Sequence, residues 1–219
     1  MQIENALTSE RISDLATALI RSEALKFGSF KLKSGVISPY YIDLSALLSS
    51  PASFKCVVNI VAEKVKEIAS SLRPNKLASI ELKGALLLPS IACELEMPCF
   101  VVRKESKSYG LTGRIAGGEV KEGDRVLFFD DVVTDARSKI EGIQPIERLG
   151  AKVCAIVVVV DREQGGGENL EKMGYELYSV ATISEIIKNL LSSHAISEEQ
   201  AKRILNYTRE NITSASSGI

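Results

Sequence analysis

Eight consecutive apolar residues run from Val153 to Val160 without a polar interruption. A strand that is apolar at every position must be covered on both faces, which is typical of a parallel sheet between layers of helices. Shorter strand-like segments at 77–82, 99–102, 125–129 and 175–180 alternate with segments of helical periodicity. This alternation predicts an α/β fold, with a parallel β-sheet core flanked by helices.

Helical segments are predicted before, between and after these strands. Apolar residues at helical spacing predict one helix over 9–27 and a second over 51–72, the latter opening on a proline. The stretch 30–44 between them contains glycine, proline and two adjacent tyrosines, which is typical of short strands and turns. Further helices are predicted at 84–95, at 138–149 and in the tail from Ser184.

Composition excludes several classes of protein. The 27 basic and 28 acidic residues give a net charge of −1, which argues against a general nucleic-acid-binding surface. No apolar run approaches the ~20 residues of a membrane-spanning helix, and the N-terminus lacks the pattern of a secretory signal. We therefore expect a cytoplasmic protein without a membrane partner. One histidine, and four cysteines without a C-x-x-C pair, argue against zinc sites and histidine-based triads.

Two adjacent carboxylates, Asp130 and Asp131, follow the apolar segment 126–129. Adjacent buried carboxylates repel each other and are costly to desolvate, so a polar or cationic ligand is the simplest reason to find them there. They suit two ribose hydroxyls, or one hydroxyl and a hydrated Mg²⁺. The residues from Thr134 to Ser138 lead into a helix, whose free N–H groups form a phosphate site. The alternative is an N-capping aspartate beside a solvated one.

A second candidate is the polar segment from Arg103 to Gly123, in which three cations fall within five residues. A glycine-punctuated basic loop of this length is typical of a mobile lid over an anion, although a charge run alone is usually a solvated face. The glycine run 165–167 follows a strong strand and raises the alternative of a dinucleotide-binding oxidoreductase. It lacks the G-x-G-x-x-G spacing, so a flexible loop is the preferred interpretation.

Four motifs in order resemble the type I phosphoribosyltransferases, and most closely their orotate branch. They cover about Phe30 to Gln164, and they are Phe30-Lys31-Leu32-Lys33-Ser34-Gly35 with Ser38-Pro39-Tyr40-Tyr41, Arg103-Lys104-x-x-Lys107-x-Tyr109-Gly110, Val126-Leu127-Phe128-Phe129-Asp130-Asp131-Val132-Val133-Thr134, and Asp161-Arg162-Glu163-Gln164. The third motif resembles the superfamily's fingerprint for phosphoribosyl pyrophosphate (PRPP). The combination of all four is specific to the orotate branch.

This resemblance implies a reaction and a set of PRPP-binding residues. The phosphoribosyl group of PRPP would pass to orotate, giving orotidine 5′-monophosphate and pyrophosphate in pyrimidine biosynthesis. Asp130 and the catalytic Asp131 would hold the ribose hydroxyls. The 5′-phosphate would be bound by Thr134, Asp135, Ala136, Arg137 and Ser138. The pyrophosphate would be bound by the catalytic residues Arg103, Lys104 and Lys107 and by Lys83. Mg²⁺ would be held mainly through PRPP, with no firm protein ligand.

The resemblance also implies how the base is bound and how the chain is organised. The orotate would be framed by Lys33, Tyr40, Tyr41 and Arg162, the last pairing two-pronged with its carboxylate. Tyr109 stands where the family has a loop histidine and would be a further substrate-binding residue. A loop lysine that reaches the neighbouring site implies a homodimer, with Lys107 shared across the interface. The expected parts are an N-terminal helix and hood (1–50), the phosphoribosyltransferase core (51–185) and a C-terminal helical extension (186–219).

The phosphate loop departs from the family pattern. Small residues, typically Ala-Gly-Thr-Ser, follow the threonine in the family, whereas this chain has Asp135-Ala136-Arg137-Ser138. Asp135 places a negative charge where a dianion binds, and Arg137 could compensate by pairing either with the phosphate or with Asp135. The loop therefore leaves open an alternative function, a non-catalytic regulator or ligand sensor with this fold.

Overall fold

A six-stranded sheet forms the centre of the molecule. The computed structural model describes residues 9–32, 35–107 and 113–216, and of residues 106, 107 and 211–216 it describes the backbone alone. The strands follow the order β5-β4-β3-β6-β7-β8, all parallel except β5, which is antiparallel to β4. Their bounds are β3 Lys76–Ile80, β4 Cys99–Lys107, β5 Gly113–Gly117, β6 Arg125–Val133, β7 Lys152–Asp161 and β8 Leu177–Thr182. The predicted α/β fold is confirmed.

Helices cover both faces of this sheet. They are α1 Ser9–Arg21, α2 Pro51–Leu72, α3 Lys83–Glu94, α4 Arg137–Glu147, α5 Gly166–Lys172, α6 Ile183–Ser192 and α7 Glu198–Ser216. The side chains of β6 alternate between two apolar clusters, because successive residues of a strand point to opposite faces. Leu127 and Phe129 pack with α1, α2, α3 and α6, whereas Val126 and Phe128 pack with α4 and α5. Two-sided burial explains why β7 is apolar at every position from Val153 to Val160.

The first predicted helix is wrong at its C-terminal end. α1 stops at Arg21, Glu23 adopts a positive φ of 55°, and the chain then forms a strand, β1 Leu25–Lys31. β1 pairs antiparallel with β2 Ile37–Ile42, and a short 3-10 helix follows at Leu44–Ser49. Strand pairing across the turn, a contact distant in sequence, overrides the local helical preference after Arg21.

The basic segment predicted as a loop is in part a β-ribbon. β4 continues past Val102 to Lys107, and β5 returns antiparallel beside it, with Lys107 opposite Gly113. β5 is the edge strand of the sheet, where charged side chains are tolerated because one side of the ribbon faces solvent. The predicted site residues Lys33 and Tyr109 lie outside the described residues, and of Lys107 the side chain does.

The C-terminal helices pack on the core and on the β1–β2 hairpin. α6 begins with a capping box in which Thr182 and Glu185 bond each other's backbone N–H groups, and α6 then packs beside α1. α7 contacts β2. None of the helices among the described residues is long and apolar enough to cross a membrane. The division into 1–50, 51–185 and 186–219 stays a prediction.

Candidate active site

The predicted site residues gather at one edge of the sheet. β4, β3, β6 and β7 are neighbouring parallel strands, so their carboxyl ends lie side by side. Arg103 lies in β4, Lys83 opens α3 after β3, Asp130 and Asp131 lie in β6, and Arg162 follows β7. The crevice at the carboxyl ends of parallel strands is the usual ligand site of open α/β sheets. The one local difference is that β6 continues to Val133, so the acid pair belongs to the strand itself.

The acid pair is buried, and the pKa of one of its two carboxyl groups is shifted. Asp130 and Asp131 are 5% and 6% exposed, and the Asp131 backbone N–H donates to Asp130 Oδ1 at 3.0 Å. Burial, followed by the charge of Asp130, raises the pKa of Asp131 to about 7. Desolvation and a neighbouring like charge both favour the neutral acid. This carboxyl group is therefore poised to lose its proton near neutral pH.

A buried lysine, Lys139, holds this pair, and the sequence interpretation missed it. Its Nζ lies 2.7 Å from Asp130 Oδ2 and also donates to the carbonyl of Val132 and to Ser138 Oγ. The residue is 4% exposed. The sequence does contain a signal for it, since Lys139 falls on the apolar stripe of α4 with Ile143 and Ile146. A charged residue on such a stripe requires a partner inside the fold.

The loop between β6 and α4 contains its own ion pair. Arg137 Nε and Nη2 lie 2.6 and 2.5 Å from Asp135 Oδ2, and the Arg137 backbone N–H donates to Asp135 Oδ1 at 3.2 Å. Burial alone would raise the pKa of Asp135, but the hydrogen bonds and charge of Arg137 lower it. Arg137 thus pairs with Asp135, one of the two partners considered for it. The Arg137 side chain is 90% exposed, so it leaves the loop backbone uncovered.

The glycine run after β7 supports this loop. Gly166 begins α5, and a Cβ on it would stand 2.8 Å from the carbonyl oxygen of Thr134. Asn169 of α5 also donates to the carbonyl of Asp135 at 3.3 Å. Gly166 is therefore needed for close packing of α5 against the loop, which corrects its interpretation as part of a flexible loop. Ala136, buried in the same loop, adopts a left-handed φ of 71°.

Arg162 and Tyr40 form a cationic wall of the site. Arg162 Nε donates to Tyr40 Oη at 3.3 Å, and its guanidinium carbon lies 5.1 Å from the Tyr40 ring centroid. Tyr40 is fully buried, and burial raises the pKa of its hydroxyl. Arg162 Nη2 is buried and has no hydrogen-bond partner among the residues that the structure describes. A buried guanidinium nitrogen without a partner is suited to an anionic ligand, because an unmet buried charge is costly.

Lys83 connects the acid pair to the N-terminal hairpin region. Its Nζ lies 3.1 Å from Asp43 Oδ1, and Tyr41 presents its ring 5.8 Å away. Burial alone would lower the pKa of Lys83, but the hydrogen bond and charge of Asp43 raise it. A Cβ on Gly84 would stand 2.5 Å from Asp130 Oδ1, so only glycine lets α3 start against the acid pair. Asp43 is a second residue that the sequence interpretation missed.

The basic ribbon contributes Arg103 and Lys104. Arg103 Nη1 is buried without a hydrogen-bond partner in the described part of the chain, while its carbonyl accepts from Arg114 Nε at 2.7 Å. Lys104 is exposed, and its backbone N–H donates to Glu81 Oε1 at 2.7 Å. The site thus combines an acid pair, a loop at a helix N-terminus and cations on three sides. This arrangement suits a ligand that carries hydroxyl groups and several anionic groups.

Comparisons with known proteins agree with this chemistry. Residues 43–185 match the family described as the phosphoribosyl transferase domain. The chain is 37% identical over 175 residues to an orotate phosphoribosyltransferase from Pyrococcus furiosus, covering 80% of this chain and 94% of that protein. Among solved structures, an orotate phosphoribosyltransferase from Aeropyrum pernix is similar with a TM-score of 0.69 and 32% identity, covering 80% of this chain and 97% of the other.

A longer protein is also similar in structure. The UMP synthase of Leishmania donovani matches with a TM-score of 0.81 and 31% identity, covering 90% of this chain. This chain spans 42% of that synthase. The likeness therefore concerns one part of the synthase, and it extends beyond the segment that the family profile matches in this chain.

Proposed function

This chain belongs to the phosphoribosyl transferase family, and we infer that its activity is that of the orotate branch. It transfers the phosphoribosyl group of PRPP to orotate, giving orotidine 5′-monophosphate and pyrophosphate in pyrimidine biosynthesis. The structural observation that carries this assignment is the buried Arg162 guanidinium, whose Nη2 has no partner among the described residues. A planar carboxylate such as that of orotate completes it, because a guanidinium fork binds a carboxylate through two parallel hydrogen bonds.

The reaction requires the parts to be held together and the leaving group to be neutralised. The ring nitrogen of orotate attacks the anomeric carbon of PRPP, the bond from that carbon to the pyrophosphate oxygen breaks, and its electrons leave with pyrophosphate. Positive charge grows on the ribose, and negative charge grows on the leaving group. Fixed charges placed for those changes lower the barrier, as does alignment of the two substrates.

We assign the binding residues from their positions in the site. Asp130 and Asp131 accept hydrogen bonds from the ribose hydroxyls. The 5′-phosphate lies on the backbone of the loop from Thr134 to Ser138, at the N-terminus of α4. Arg162 with Tyr40 binds the carboxylate of orotate, and Tyr41 lines the same side. The pyrophosphate is bound by Lys83, Arg103, Lys104 and Lys107. The unpartnered Nη1 of Arg103 supports that last assignment.

Magnesium enters this proposal as a companion of PRPP. No group of three or more His, Cys, Asp or Glu side chains within the described ranges is placed to hold a metal ion. The carboxylate of Asp130 is already engaged with Lys139 and with the backbone N–H of Asp131, which fits an ion held mainly by PRPP oxygens. Bound there, Mg²⁺ neutralises charge on the pyrophosphate.

We propose that the active form is a homodimer in the cytoplasm. The ribbon of β4 and β5 carries Lys107 at the open edge of the sheet, and that placement suits a lysine delivered to the site of a second subunit. The alternative of a non-catalytic sensor depended on the unusual phosphate loop. The ion pair of Asp135 with Arg137 favours the enzyme over the sensor, because Arg137 offsets the negative charge that Asp135 places beside the phosphate.

Orotate consumption tests the proposed activity. Purified protein with orotate, PRPP and Mg²⁺ is expected to lose orotate absorbance in the ultraviolet and to form orotidine 5′-monophosphate and pyrophosphate in equal amounts. The loss should require PRPP. Folded protein that binds orotate or PRPP in a calorimeter without turnover would instead support the sensor.

The phosphate loop gives a testable double substitution. Arg137→Ala leaves Asp135 uncompensated near the bound phosphate, so we expect KM for PRPP to rise by about two- to fivefold, the range of an exposed ion pair. Adding Asp135→Ala removes the stranded charge and should return KM for PRPP close to the wild-type value. Steady-state kinetics with saturating orotate measure both. A double variant as weak as Arg137→Ala alone would mean that Arg137 binds the phosphate directly.

A further inference from the structure

The C-terminal helix α7 lies outside the segment that matches the family, yet it reaches the site. It is anchored on the main core by Ala201 and Ile204, both buried. The buried Thr208 hydroxyl donates to the carbonyl of Ile204, which leaves the hydroxyl satisfied within the helix. The position of the residues between them, Tyr207 included, is therefore fixed by packing against the core.

Tyr207 contacts the residue that holds Arg162. The rings of Tyr207 and Tyr40 meet edge to face, with centroids 6.0 Å apart and planes at 86°. Tyr40 in turn touches Arg162 through its ring face and its hydroxyl. The side chains of Tyr207, Tyr40 and Arg162 thus form one row, which ends at the guanidinium of Arg162.

This row determines which nitrogens Arg162 can offer. Tyr40 Oη accepts from Nε, so that nitrogen is occupied, and the two Nη atoms remain for a carboxylate. Arginine has several rotatable bonds, and its fork binds two oxygens at once only when its plane is fixed. The Tyr40 ring fixes that plane, and Tyr207 supports the ring.

We propose that Tyr207 is a positioning residue for orotate, which acts through Tyr40 to orient Arg162. The proposal rests on the proposed function, since it assigns the carboxylate of orotate to Arg162. It gives the C-terminal helix a role in base affinity. It also predicts that the effect of Tyr207 is confined to orotate, because PRPP is bound by other elements.

Steady-state kinetics of Tyr207→Ala test this proposal. KM for orotate is expected to rise by about three- to tenfold, the equivalent of one aromatic pair, while kcat and KM for PRPP stay within about twofold. Tyr207→Phe keeps the ring, so its KM for orotate should stay much closer to the wild-type value than that of Tyr207→Ala. Tyr175→Ala is the matched control, since Tyr175 bonds Glu147 away from the site and its loss should leave KM for orotate unchanged.

The kinetics, the melting temperature and a calorimetric titration with orotate together separate the possible outcomes. Wild-type protein that turns over orotate, with Tyr207→Ala equal to it in KM, would overturn the positioning role and leave the function standing. Equal increases in both KM values together with a lower melting temperature would also overturn it, since they indicate general loosening. Tyr207→Leu replaces Tyr207→Ala if that variant does not fold. Wild-type protein that neither binds nor consumes orotate would overturn both the function and this proposal.

Discussion

Replacing Lys139 by methionine is expected to lower kcat/KM for PRPP at pH 7 by about a hundredfold. Methionine fills a similar volume without charge, so the substitution removes the partner of a buried carboxylate. Breaking one side of a buried ion pair costs about 3–5 kcal/mol because the remaining charge has no compensation. The site can avoid that cost by taking up a proton, and a protonated acid pair is a poorer acceptor for the ribose hydroxyls.

The pH dependence of this variant gives the sign of the effect. The charge of Lys139 lowers the pKa of Asp131, which burial and Asp130 together raise to about 7. Without Lys139 that pKa rises further, so more of the carboxyl is protonated at pH 7, and raising the pH should restore the ionised form. We expect the acidic limb of kcat/KM to move to higher pH in Lys139→Met, and the variant to recover as pH approaches 9.

A second buried lysine supplies the matched control. Lys64 in α2 is fully buried, its Nζ lies 3.6 Å from Glu67 Oε2, and it has no part in the proposed site. Lys64→Met should change the melting temperature without changing the pH profile of PRPP use. A loss in Lys139→Met that is independent of pH would show that the residue is structural, and a shifted profile in Lys64→Met would show that the assay reports general stability.

The sequence predicted those parts of the site that depend on neighbours in the chain. Asp130 and Asp131 were recognised because two acids directly follow an apolar strand. Lys139 stands out in the sequence only as a charged residue on the apolar stripe of α4. Its pairing with Asp130 could not be predicted, because that depends on where the first turn of α4 lies against β6. Asp43 was missed for a similar reason, since its partner Lys83 lies in a different element.

The fold shows the same limit. The continuous apolar segments were enough to predict the sheet and its two helical layers, because a strand buried on both faces is apolar at every position. The strand β1 was missed because the local sequence pattern continues that of the preceding helix. Its pairing with β2 is what makes this segment a strand. The residues from Arg103 to Lys107 look like a loop in sequence, and a sheet edge accommodates them as a strand. The ion pair of Arg137 with Asp135 could not be predicted from sequence either, since a bound phosphate is an equally anionic partner.

Subunit mixing gives the largest expected gain of activity. Lys107→Ala and Arg162→Met should each lower orotate turnover by about a hundredfold or more, the first through loss of charge on the leaving group and the second through loss of the orotate carboxylate contact. If Lys107 acts in the neighbouring site, a mixed dimer of the two variants contains one site with both residues intact. The other site then carries both defects.

Equal co-expression of the two variants makes about half of the dimers mixed, so we expect about a quarter of wild-type activity from two nearly inactive chains. The reciprocal mixture, wild type with the Lys107→Ala/Arg162→Met double variant, should fall to about a quarter as well, because each mixed dimer then lacks an intact site. If Lys107 served its own subunit, the first mixture would stay inactive and the second would keep about half of the activity. A lysine that acts in the neighbouring site raises the activity of the first mixture and lowers that of the second. Poor expression of one variant therefore cannot reproduce both results.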